Sequence, residues 1–212
     1  MINIFDLRRD FTLRTLDEKD VLLNPIAQFE IWFKEAIEAE ALEPNAMNLA
    51  TVGFDMKPSS RIVLLKQVRS EGFVFFTNYD SRKAKQMAEN SNCALTFVWQ
   101  ELERQVRIEG RVEKILPEES DLYFERRPVA SKLGAWSSPQ SSIMPNREYL
   151  ENLVADFEQK FANVEISRPA NWGGYLVRPT LVEFWQGRAN RLHDRIQYTY
   201  ENKEWIINRL AP

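Results

Sequence analysis

The sequence predicts a mainly β fold with peripheral helices (α+β), its strands mostly antiparallel and gathered into one barrel-like domain. Three observations support this. Short β-rich runs recur through the middle and end of the chain; most of the separators between them are too short to hold crossover helices; and the few helical patterns lie around those runs. At 212 residues the chain is long enough to bury a substantial core.

The first element is a helix over residues 25–42. Asn24 suits the N-cap and Pro25 the first helical position, and Ile26, Phe29, Trp32, Phe33, Ala36, Ile37 and Ala41 recur as one apolar stripe. Strands follow over 47–52, 61–68, 73–77, 93–99 and 104–115. Turn chemistry separates them, as in Asp55-Met56-Lys57-Pro58-Ser59 and Ser70-Glu71-Gly72. A short helix is expected over 81–89 with Ser81 as its cap, a second from Pro117 to just before Pro128, and a third over 147–161. Strands return over 174–178, 181–185, 195–200 and 205–210, so the segment after Ala170 reads as a strand-rich extension of the same domain.

Composition narrows the function. A net charge of −3 lacks the basic excess of a nucleic-acid binder. The single cysteine, Cys93, lies in the apolar run Cys93-Ala94-Leu95-Thr96-Phe97-Val98-Trp99 and reads as a buried structural thiol. One Cys and one His leave little for a zinc site. The charges near the N-terminus sit in the wrong place for a secretory signal, and no apolar stretch approaches the roughly 20 residues that span a bilayer. A cytoplasmic protein that engages neither membrane nor nucleic acid is expected.

With no Gly-x-Gly-x-x-Gly, no Walker loop and only seven glycines, any phosphate must be bound mainly by Arg and Lys side chains. In Arg61-Ile62-Val63-Leu64-Leu65-Lys66 the two cations would face opposite ways on a single strand and not serve the same group. Arg82 and Lys83, by contrast, fall where a strand ends and a helix begins. Cations in a first helical turn oppose the helix dipole unless an anion sits there; the plainer reading is two solvated cations. In Arg191-Leu192-His193-Asp194-Arg195 an extended backbone would put Arg191, His193 and Arg195 on one face, mutually repelling without an anionic ligand; the plainer reading is an exposed or structural His. Tyr123 and Arg127 share a helix face with Ser131 just past its break, a set able to hold a second phosphate or merely to end a helix.

Taken in order, these segments carry a resemblance. Arg61 to Lys66, Phe76-Thr77-Asn78, Ser81-Arg82-Lys83, Leu102-Glu103-Arg104-Gln105-Val106, Gly134-Ala135-Trp136 and Gln140-Ser141-Ser142 come first. Trp172-Gly173-Gly174, Glu183-Phe184-Trp185-Gln186-Gly187, Arg191 to Arg195 and Asn208-Arg209-Leu210-Ala211-Pro212 complete the set. From about residue 7 to residue 212 the chain resembles the pyridoxamine 5′-phosphate oxidase family.

That resemblance implies an FMN-binding split β-barrel, a homodimer with FMN between the subunits, and oxidation of pyridoxamine and pyridoxine 5′-phosphates to pyridoxal 5′-phosphate. FMN would take a hydride equivalent from C4′ and O2 would reoxidise it to H2O2. The chain would divide into a lid segment (1–20), an FMN-binding domain (21–170) and a C-terminal dimerisation region (171–212). Arg61, Ile62, Val63, Leu64, Leu65, Lys66, Phe76, Thr77, Arg82 and Lys83 would contact FMN, with Gln105, Gln140, Ser141, Trp185 and Arg195. Lys66, Tyr123, Arg127, Ser131, Arg191, Leu192 and His193 would hold the substrate, with Arg8 and Phe11 from the lid; Arg191 and His193 would act at C4′. Phe76 and Phe11 stand where some relatives have Tyr, and each lacks that hydroxyl. Two alternatives remain: a flavin oxidase of another ring, phenazine-type, and a non-catalytic flavin or pyridoxal-phosphate carrier.

Overall fold

The computed structural model describes residues 10–212, so Arg8 of the expected lid lies outside the described residues. Helix α1 (Pro25–Glu38) starts as its sequence requires: the Asn24 side chain accepts from the N–H groups of Ile26 and Ala27, and Ile26, Phe29, Trp32 and Ala36 turn inward. It stops four residues short of expectation because Glu40 adopts a left-handed φ of 53° that swings the chain toward the sheet.

Nine strands follow: β1 (Ala46–Val52), β2 (Pro58–Leu64), β3 (Gln67–Arg69), β4 (Gly72–Asn78), β5 (Asn92–Trp99), β6 (Arg104–Lys114), β7 (Trp172–Gln186), β8 (Asp194–Glu201) and β9 (Glu204–Arg209). Every pairing is antiparallel, in one sheet of order β2-β1-β5-β6-β7-β4-β3, with β8 on β7 and β9 on β8. β7 organises the sheet. One edge pairs with β6 from Tyr175 to Gln186; the other pairs with β4 over its first half and with β8 over its second. The sheet curls into a half-barrel around an aromatic core in which Phe29 meets Phe73 and Phe97, each with centroids 4.9 Å away, and Trp32 meets Phe184 at 5.1 Å. Cys93 is buried, and burial pushes its thiol up to about 12.

Helices α2 (Arg82–Glu89), α3 (Pro117–Glu125) and α5 (Arg147–Lys160) lie where expected. Three features do not. The run 61–68 is not one strand: it breaks after Leu64, where the Leu65 N–H turns to Asn45 O and the Lys66 N–H to Val74 O. The strands expected over 174–178 and 181–185 are one, because Pro179 is absorbed at a bulge where the β6 register shifts between Glu109 and Gly110. Gly110 is required there, since a Cβ would lie 2.1 Å from Arg178 O. An additional helix, α4 (Val129–Ser137), follows Pro128.

Candidate active site

The first half of the site is built where β4 runs into α2. Ser81 caps α2 in position only: its hydroxyl donates to Asn78 O at 2.7 Å, leaving the first-turn N–H groups of the helix without a side-chain cap. Arg82 and Lys83 occupy that turn. Lys83 Nζ donates to Gln140 Oε1 at 2.9 Å, Thr77 Oγ1 at 3.1 Å and Ser81 Oγ at 3.3 Å. From β2, Arg61 donates to Thr51 Oγ1 and Ser59 Oγ, each at 2.6 Å, and to Leu49 O at 3.1 Å.

All these partners are neutral. Among the described residues, no carboxylate is within ion-pair distance of Arg61, Arg82 or Lys83. Burial and then the Arg61 charge pull Lys83 down to about 8; burial and then Arg82 lower Arg61. Three mutually repelling cations beside uncapped helix N–H groups are an arrangement able to hold a dianion. Ser141, next to Gln140, holds a left-handed φ of 71° at its rim.

The same cleft, about 910 Å³, continues to a second set of side chains. Phe76 stacks on Tyr123 with centroids 3.9 Å apart and on Trp172 at 5.4 Å. The Arg127 guanidinium lies 4.4 Å from the Trp172 ring centroid and donates to Ser131 O at 3.0 Å. Ser131 lies past the break after α3, as expected, in the first turn of α4, where Pro128 provides no side-chain cap. Arg127 does not share a helix face with Tyr123, because α3 ends at Glu125 and Arg127 falls in the turn before Pro128. Lys66 lines this cleft together with Arg61, contrary to the alternation argument, because the strand ends between them. Ile62, Val63 and Leu64 line it too; the Leu65 side chain does not, being 4% exposed in the core.

The second half lies at the other end of β7. Gln105 on β6, Trp185 on β7 and Arg195 on β8 are neighbours in register, and Phe11, Gln105 and Trp185 share a cleft of about 510 Å³. The His193 ring centroid is 4.5 Å from that of Trp185, and Phe11 stands edge-on to both at 5.8–5.9 Å. His193 Nδ1 accepts from the Arg188 N–H at 3.1 Å, so the neutral ring carries its proton on Nε2. Burial, then Arg191, lower its pKa, with Asp194 opposing.

The expected alternation of Arg191, His193 and Arg195 on one face is absent. Residues Ala189–Arg191 form a short 3-10 turn, and Asn190 and Arg191 hold left-handed φ values of 58° and 62°. Successive left-handed non-glycine residues cost about 1–3 kcal/mol each and recur at functional loops. Leu192 is exposed beside them.

Sequence reasoning assigned no role to Glu183, Asp194 or Trp172. Glu183 is a buried carboxylate that accepts from Arg195 at 2.8 and 3.1 Å and from Arg107 at 3.0 Å. Asp194 accepts from the Leu16 N–H, Arg188 and Arg209, tying the N-terminal segment to the strand that follows His193. A lone acid in the apolar run Leu181-Val182-Glu183-Phe184-Trp185 was the available signal for the first.

Comparison with known proteins bears on this arrangement. The family model described as pyridoxamine 5′-phosphate oxidase matches residues 33–161, and that described as the pyridoxine 5′-phosphate oxidase C-terminal dimerisation region matches residues 172–212. Pyridoxine/pyridoxamine 5′-phosphate oxidases from Cyanothece sp. and Cupriavidus pinatubonensis are 53% and 54% identical, covering all of this chain and 99% and 100% of theirs. Among solved structures, PhzG from Burkholderia lata 383 in complex with tetrahydrophenazine-1-carboxylic acid superposes with a TM-score of 0.89 at 28% identity, covering 94% of this chain and 99% of its own. A pyridoxamine 5′-phosphate oxidase-related, FMN-binding protein from Nostoc punctiforme shares the fold, with a TM-score of 0.69 at 16% identity over 87% of this chain and 97% of its own. The chain therefore belongs to the pyridoxamine 5′-phosphate oxidase family, a family of FMN-dependent oxidoreductases.

Proposed function

We propose that this chain binds FMN and oxidises pyridoxamine 5′-phosphate and pyridoxine 5′-phosphate to pyridoxal 5′-phosphate with O2, as a homodimer whose protomers share each site. One observation carries the reading: a single cleft holds two separate cationic sites, each at an uncapped helix start. A phosphorylated cofactor acting on a phosphorylated substrate needs two such sites, whereas an unphosphorylated ring needs one. The set of Arg61, Arg82 and Lys83, whose charge no carboxylate offsets, fits the FMN phosphate, with Thr77, Gln140 and Ser141 beside it. Tyr123, Arg127 and Ser131, with Lys66, fit the substrate phosphate.

Sharing follows from β7. Phe76 pairs with Gly174 near its start and Gln105 with Trp185 near its end, eleven residues on. At roughly 3.3 Å per residue this is about 35 Å along the strand, far beyond the span of one flavin. Gln105, Trp185 and Arg195 of the partner subunit would complete the cleft, consistent with the dimerisation region matched over residues 172–212.

FMN, when bound, supplies the two-electron acceptor, and O2 regenerates it. The protein's contribution is positional. Arg127 and the α4 N–H groups anchor the substrate phosphate, Arg191 and the His193 Nε2–H donate to the group at C4′ and orient it, and Phe11, seated on Trp185 and His193, excludes water. Anaerobic mixing of the FMN-loaded chain with pyridoxine 5′-phosphate should bleach the flavin, and air should restore its colour with pyridoxal 5′-phosphate formed. A flavin left oxidised by both phosphates would sink the reading in favour of another ring substrate or a carrier. Mixing unfolded Lys83→Met and Arg195→Ala chains and refolding them together should return about a quarter of native activity, since half the dimers then hold one intact site.

A further inference from the structure

Arg61 is the one member of the cofactor-phosphate cluster that comes from the sheet and not from α2. Its aim depends on a chain of neutral groups with no role in the reading above. The geometry points to Gln86, acting through Thr51 and Ser59, as a positioning residue that holds Arg61 toward the phosphate end of the cleft. This inference rests on the proposed assignment of that cluster to the FMN phosphate.

A guanidinium can only donate. Arg61 Nη1 gives to Thr51 Oγ1 and Nη2 to Ser59 Oγ, both at 2.6 Å. Each hydroxyl, having accepted, has one hydrogen left to give, and both give it to the same atom: Gln86 Oε1, at 2.7 Å from each. The polarity of the whole chain is fixed. One amide oxygen sets both hydroxyl hydrogens, and the hydroxyl lone pairs then receive Arg61.

Gln86 is 6% exposed and Thr51 3%, so these bonds form away from competing water. Gln86 belongs to α2, the helix whose first turn carries Arg82 and Lys83, while Thr51 is on β1 and Ser59 and Arg61 are on β2. The amide thereby locks the sheet-borne cation to the helix-borne pair, and all three face a ligand as one body despite their repulsion.

Neutrality is the second half of the argument. A glutamate at this position would accept from the same two hydroxyls, but it would place a negative charge one hydroxyl away from Arg61 and offset the field the phosphate needs. An amide anchors the guanidinium and leaves its charge unspent. A purely structural cross-brace between α2 and β1 would have no reason to end on the guanidinium.

The test uses the full chain, stripped of flavin and titrated with FMN and with riboflavin, which lacks the phosphate, by flavin fluorescence. The variants are Gln86→Met, Gln86→Glu, Ser59→Ala, Arg61→Ala and the double variant Arg61→Ala/Gln86→Met. Gln86→Met should weaken FMN about tenfold, the scale of one or two buried hydrogen bonds, and leave riboflavin within about twofold. Gln86→Glu should weaken FMN at least as much although both acceptors are kept. In the Arg61→Ala background Gln86→Met should have no further effect. Equal weakening of FMN and riboflavin, or additive losses in the double variant, would overturn the inference and leave Gln86 a structural brace. If Arg61→Ala itself leaves the preference for FMN over riboflavin unchanged, the assignment of Arg61 to the phosphate falls first. Should Gln86→Met fail to fold, Ser59→Ala, at a half-buried position, runs the same cycle with Arg61→Ala.

Discussion

Replacing Glu183 by Gln removes one negative charge from between two guanidiniums. Its side chain is 3% exposed, while those of Arg195 and Arg107 are 25% and 41% exposed. Breaking a buried pair from one side costs about 3–5 kcal/mol because the remaining charge is stranded. Here both arginines keep some water and Gln keeps one acceptor, so the cost falls to the bottom of that range or just below it, about 2–3 kcal/mol. For a chain of 212 residues each kcal/mol shifts Tm by about 2–4 °C, so the variant should melt roughly 4–12 °C below the native chain. Thermal unfolding followed by circular dichroism reads this directly. Added salt should not close the gap, since the carboxylate is shielded from counterions. A drop under about 2 °C would refute the reasoning, because it would mean that solvent already satisfies both arginines. Arg195 should also lose its aim, so FMN affinity should fall in the same variant even where folding is complete.

Three further outcomes follow from particular contacts. Lys83, held near 8 against an ordinary 10.5, must be protonated to meet a phosphate, so FMN affinity should fall as pH rises through about 8, and Lys83→Met should flatten that profile. In the flavin-free chain the sign reverses: between about 8 and 10.5 the unfolded state holds the extra proton, so Lys83's contribution to stability grows with pH, and a pH series of melting curves would read it. A Cβ at Gly187 would lie 2.7 Å from Phe11 Cγ, so Gly187→Ala should unseat Phe11 and raise KM several-fold with Tm nearly unchanged; an unaltered KM would count against a lid role for that ring.

What the sequence made legible was local. Asn24, Pro25 and an apolar stripe sufficed for α1, but Ala41 extended the stripe on paper because it is buried by the turn after the helix, not by the helix itself. Pro179 read as a strand break because the residue that makes room for it, Gly110, lies on another strand far away in sequence. Helix α4 spans nine residues with Gly134 inside it, too short for its periodicity to stand out. The cations of α2 could be found from dipole reasoning because strand end and helix start are adjacent in the chain. The Glu183–Arg195 pair could not, since it exists only through β7–β8 pairing. Lys66 was misplaced for a related reason: alternation predicts facing only while the strand continues, and this one stops.

The 15-residue span of β7 has a mechanical corollary. In the proposed dimer each flavin would rest against the start of one protomer's β7 and the end of the other's, so a pair of continuous strands would connect the two catalytic centres. A ligand that twists one end of such a strand meets resistance from whatever occupies the far end, and the exchange is symmetric by thermodynamic necessity. Occupancy of the two centres would then be linked, and the bulge at Glu109–Gly110 opposite Pro179, the point where the lever is free to bend, would set how much of that linkage is lost on the way.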